Sequence, residues 1–171
     1  AIGTAHSALA GGLVGVNRGS ISYSHATGAV TANSSNLNAI AGGLVGTNDQ
    51  GSIINNSHAT GAVTSNAINV IAYAGGLVGY NYANISNSHA SGKVTAQAND
   101  TSAGGLIGLN RNAQVTSSFA SGDVNGHNYV GGLIGRNGNA SSTGGNISNS
   151  HASGNVTGTG NQVGGLIGYN K

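Results

Sequence analysis

The chain contains no cysteine, proline, methionine or tryptophan, no glutamate, and three aspartates in 171 residues. Without Cys there are no disulfides, no thiolate zinc ligands and no thiol nucleophile. Asp49, Asp100 and Asp123 are isolated from one another in the sequence, so it offers no carboxylate pair for acid–base chemistry. Five Lys and Arg leave a net charge of only +2. The high pI reflects scarcity of charge, not a basic surface, and this argues against a nucleic-acid partner. Long hydrophobic runs are also missing. The least polar stretch, Ala67 to Tyr80, is interrupted by Asn69, Gly75 and Gly76 and is shorter than the roughly 20 apolar residues of a membrane-spanning helix. The start, Ala1-Ile2-Gly3, shows no charged n-region of a signal peptide. Apolar residues at helical spacing are nowhere sustained, and Gly, Ser, Thr and Asn in every segment disfavour helix.

What the chain does have is a repeat. Gly-Gly-Leu-(Val/Ile)-Gly starts at Gly11, Gly42, Gly75, Gly104, Gly131 and Gly164. An Asn follows each start by six positions: Asn17, Asn48, Asn81, Asn110, Asn137 and Asn170. A second block, Ile21-Ser-Tyr-Ser-His-Ala-Thr-Gly-Ala-Val30, recurs at Ile54, Ile85, Val115 and Ile147 with the same interval between its outer apolar residues. Length varies only between the Asn and the Ile, and between the Val and the next Gly-Gly, so the fixed blocks are elements and the variable stretches are loops. A period of about 30 residues, rich in Gly and β-branched residues, predicts an all-β parallel β-solenoid (β-helix) of five to six coils. Residues 1–171 form one such domain, with right-handed crossovers. At about 4.8 Å per coil the rod is about 25–30 Å long.

Side-chain alternation assigns the faces. Ile21 and Val30 cannot both face inward along one unbroken strand, because sides alternate with period two. A bend is therefore expected at Ser22-Tyr23-Ser24, where Asn and Ser recur in the other copies. Beyond it, Ser24, Ala26, Gly28 and Val30 point inward, and His25, Thr27, Ala29 and Thr31 outward. Leu13, Leu44, Leu77, Leu106, Leu133 and Leu166 are expected to form an inner rank. Val14, Val45, Val78, Ile107, Ile134 and Ile167 then become an outward apolar stripe, unless a Gly-Gly bend buries both sets. The six Asn are expected at a coil corner, hydrogen-bonded to one another along the axis.

These strings resemble the GLUG-motif repeat of bacterial surface proteins. The match is carried by Gly42-Gly-Leu-Val-Gly-Thr-Asn48 and Ile54-Asn-Asn-Ser-His-Ala-Thr-Gly-Ala-Val63 and covers nearly the whole chain. The resemblance implies an extracellular β-solenoid of the kind found in large adhesins, including filamentous-haemagglutinin-like proteins, and implies no activity. The sequence departs from it where the family's Cys is Ser (Ser24, Ser57, Ser88, Ser118, Ser150) and its Tyr is mostly His.

Candidate sites are few. Six Gly-rich strings with no helix and no Lys are not phosphate loops. His and Ser recur without an acid, so no triad forms. His25, His58, His89 and His151 fall in one outward rank and are the candidate metal ligands. Phe119 occupies the same rank, which favours a ladder of flat rings. The Thr27, Thr60, Ser91, Ser121 and Ser153 rank is a candidate surface for ice or glycan. No cofactor is implied. The resulting expectation is a non-enzymatic, secreted or cell-surface structural protein, a stalk segment of an adhesin or a subunit of a filament. The rival is a glycan- or ice-binding module. The expected partners are a second copy of the chain, flanking repeats, or a surface glycan. Head-to-tail continuity is suggested by Ile2 and His6, spaced like Ile21 and His25.

Overall fold

The computed structural model describes residues 1–5 and 8–171. Among them there is no helix, and 28 short strands fall into five parallel sheets. The third turn shows the plan. Sheet 1 takes Val63–Ala67, sheet 2 Ile71–Gly75, sheet 3 Val78–Asn81, sheet 4 Ile85–Ser86 and sheet 5 His89–Ala90. One turn on, Val63 faces Val94, Tyr73 faces Ser102, Val78 faces Ile107, Ile85 faces Val115 and His89 faces Phe119. Sheets 1 to 3 have six strands and sheets 4 and 5 have five, which makes five full turns and part of a sixth. The chain is thus a parallel β-solenoid.

Two local devices let strands this short close a turn. The first is the bend in the second block. Tyr23, Asn56, Asn87, Ser117 and Asn149 all adopt φ between 48° and 51°. Among residues with a side chain, Asn is one of those that tolerate this left-handed region best. The bend stands between Ile and Ser, and both Ile54 and Val63 are consequently buried. The Ser that follows locks it. Ser57 Oγ donates to Asn55 O at 2.8 Å and accepts from Ser24 N at 3.2 Å, and Ser88 and Ser118 repeat the arrangement.

The second device is the Gly-Gly-Leu corner. Leu44 N and Val45 N both donate to Leu77 O, at 2.9 and 3.0 Å. The chain turns so sharply that a Cβ on Gly42 would collide with the Val45 carbonyl, and one on Gly43 with the Gly76 carbonyl of the next turn. Neither glycine needs positive φ; both are required by close backbone approach. This corner decides between the outward stripe and the bend that buries both sets, in favour of the bend. Val45, Val78, Ile107 and Ile134 are fully buried beside Leu44, Leu77, Leu106 and Leu133. Period-two alternation does not hold across a corner, so neighbouring residues both face inward. Val14 and Ile167, in the end coils, are half-buried.

The interior is split in two. Leu44, Val45, Ile54 and Ala59 with their counterparts fill the space among sheets 3, 4 and 5. A smaller core of Val63, Ala72, Ala74 and their counterparts lies between sheets 1 and 2. Sheet 2 turns its other face to sheet 3, where glycine allows close contact: a Cβ on Gly46 would stand 2.7 Å from Leu9, and one on Gly79 2.7 Å from Ile40.

The end coils modify two expectations. Leu13 and Leu166 belong to the inner rank but are 48% and 40% exposed, since each lacks a coil on one side. Ile2 pairs with Thr31 in sheet 1 and does not extend the Ile21 rank. The spacing from Ile2 is therefore not a further copy of the second block. His6, the other half of that spacing, lies outside the described residues.

Candidate functional surfaces

The Asn corner is a continuous chain of amides. Asn17 Nδ2 donates to Asn48 Oδ1 at 2.8 Å, Asn48 to Asn81 at 2.8 Å, and Asn81 to Asn110 at 2.7 Å. Asn110 donates to Asn137 at 2.8 Å and Asn137 to Asn170 at 2.7 Å. All five bonds run in one direction. The same amides hold the following turn: Asn110 Nδ2 donates to Ala113 O at 2.8 Å, and Gly145 N donates to Asn137 Oδ1 at 3.0 Å. Asn48, Asn81 and Asn110 are fully buried. Each buried amide is thereby satisfied in a place where a bare one would be costly.

The outward rank on sheet 5 is a stack of flat rings. Ring centroids lie 5.2 Å apart for His25–His58, 4.8 Å for His58–His89, 4.7 Å for His89–Phe119 and 5.2 Å for Phe119–His151, with planes within 10° of parallel. An imidazole lone pair lies in the ring plane, and a metal sits about 2.0–2.1 Å from the nitrogen. Lone pairs in parallel planes about 5 Å apart do not converge on one ion. Among the described residues no group of three or more His, Cys, Asp or Glu is placed to hold a metal. Burial, and secondarily the neighbouring His58, lowers the pKa of His89. Beside the rings, Thr27, Thr60, Ser91, Ser121 and Ser153 are exposed.

The carboxylates serve structural contacts. Asp49 pairs with Arg18 at 3.0 Å, and that hydrogen bond holds its pKa below the usual range. Asp100 pairs with Arg136 at 2.7 Å, and Asp123 accepts from Asn155 N at 2.9 Å.

A tyrosine–arginine corner was not foreseen from the sequence. Tyr73 stacks on Tyr80 at 5.3 Å and Tyr80 on Tyr82 at 4.6 Å. Arg111 donates to the Tyr80 hydroxyl at 2.9 Å and to Ser142 in the long 138–145 loop at 2.8 Å. Burial raises the Tyr80 pKa, and the hydrogen bond with Tyr80 raises that of Arg111. One turn further, Arg136 lies 3.5 Å over the Tyr129 ring. The available signal was the residue before each invariant Asn, where Thr47, Tyr80, Leu109 and Arg136 stand in register.

Repeated coils, ladders along the axis and two alternating corner devices define a solenoid repeat protein. The GLUG-motif family model matches residues 6–31, 38–64, 72–95, 99–125 and 126–157, and the chain belongs to that family. The sixth Gly-Gly-Leu, at Gly164, falls outside the matched ranges. No curated protein and no solved structure matches the chain.

Proposed function

We propose that the chain is a non-enzymatic, extracellular structural element, a rigid segment of a bacterial surface stalk or of a filament. The supporting observation is axial continuity. The Asn rank crosses every turn without interruption, and the Leu rank is expected to continue into whatever coil is added. The first and last strands of each sheet have one unpaired edge. Those edges accept another coil of the same kind, from flanking repeats or from a second copy. The engaged carboxylates and the parallel imidazoles favour a structural role over catalysis. The extracellular placement rests on the likeness of these repeats to those of surface adhesins.

Negative-stain microscopy of the purified chain over a range of concentrations tests this. Rods that lengthen with concentration, or a parent chain with flanking solenoid coils, are expected. Particles of constant length from a parent chain without such coils would overturn the proposal.

A further inference from the structure

The outer face of sheet 1 carries an open groove of about 810 Å³ that runs along the solenoid axis. Its floor is a polar rank in strict register: Thr4 opposite Asn33, Asn33 opposite Asn66, and Asn66 opposite Gln97. Asn66 Nδ2 donates to Asn33 Oδ1 at 2.8 Å. Unlike the corner amides, this ladder is incomplete: Asn66 Oδ1 is shielded from solvent and accepts no hydrogen bond. One wall is the loop bearing Ile68, whose side chain is 62% exposed. Beyond Gln97 a second depression of about 410 Å³, bordered by His127 and Thr159, extends the groove.

We infer that this groove is a binding site for a neutral, extended glycan lying along the axis. Four chemical features select that ligand. Neither depression is lined by Lys, Arg or Asp, so an acidic polymer or a nucleic acid finds no counter-charge. The floor offers carboxamides and hydroxyls at a repeat of about 4.8 Å, which suits a chain with hydroxyls on every unit. The exposed aliphatic surface of Ile68 suits the C–H face of a sugar ring. The groove lies over a sheet face whose inner strands are paired on both sides, so a peptide cannot add as a strand there. From Thr4 to Gln97 the floor spans about 14 Å, and a sugar hydroxyl donating to Asn66, after a small rotation of its carboxamide, would supply the missing partner.

This site is independent of the rod reading; either stands if the other fails. The test is binding of the whole chain to an array of neutral polysaccharides (β-glucan, mannan, chitin oligomers) and acidic ones (alginate, heparan sulfate). Binding to at least one neutral probe is expected. The Asn33→Leu/Asn66→Leu double variant, checked for fold by circular dichroism, should bind that probe about tenfold more weakly or worse. Should the double variant unfold, Ile68→Ser, confined to a loop, must weaken the same binding. No binding to any probe, binding only to acidic probes, or affinity unchanged in these variants would overturn the inference.

Discussion

Two ladders climb this solenoid, one at the buried Asn corner and one on the exposed His face, and they treat substitution differently. The corner position is Asn in all six copies, whereas the face accepts Phe119 among its histidines. A buried carboxamide both donates and accepts, and it also holds the next turn. No other side chain of that size does all three. The face needs only a flat ring at stacking distance, which Phe119 supplies at 4.7 Å from His89. Identity is kept where chemistry is directional, and shape where it is not.

Four measurements break or sharpen that contrast. The interior scale is set by Leu106→Ala, a fully buried truncation expected to cost about 2–5 kcal/mol in chemical denaturation. An unchanged midpoint would show that the inner rank is not packed as described. Next comes Asn81→Ala, which strands the Asn48 donor and the Asn110 acceptor in the interior. Leaving such groups unpaired should cost about 2–4 kcal/mol; a loss below about 1 kcal/mol would remove the distinction between corner and face. A smaller effect is expected from acid. The His89 pKa is lowered in the fold, so the unfolded chain takes up the proton first. Stability is then level above the unfolded His value near 6.5 and declines as pH falls through it. Melting temperatures at pH 8 and pH 5 check this, and equal values would contradict it. The smallest change is expected for His58→Phe. It keeps the stack and removes one neighbouring charge, so stability at pH 8 should shift by less than about 1 kcal/mol. The acid sensitivity should lessen in the same variant, and a large loss at pH 8 would mean the imidazole itself is needed.

Much of this was legible in the sequence because the repeat isolates positions. The odd spacing of Ile21 and Val30 required a bend, and Tyr23 and its counterparts supply it. The six Asn and the inward Ser were legible for the same reason: one residue type recurring at one phase. The Gly-Gly-Leu corner was only half legible, since alternation applies within a strand and not where the backbone folds against itself. Thus the sequence left Val45 open between an outward stripe and burial by a bend, and it lies inside. Ile2 was misplaced because two residues at a matching interval do not fix a register; Ile2 faces Thr31. The tyrosine–arginine corner and the sheet 1 groove draw on positions whose residue type varies between copies, so periodicity marks the position there but not its chemistry.

The amide ladder also gives the molecule a sense of direction. Each ladder Asn from Asn17 to Asn137 donates toward the C-terminal coil, and Asn170 receives a bond and hands none on among the described residues. One end of the rod therefore offers a donor, and the other is the end toward which incoming donors point. A coil arriving at Asn170 completes the ladder only by presenting its own Asn oxygen, as each interior coil does. Two rods brought together at their Asn170 ends would set donor against donor. The ladder is thus vectorial, so any array of such coils would have distinguishable ends however long it became.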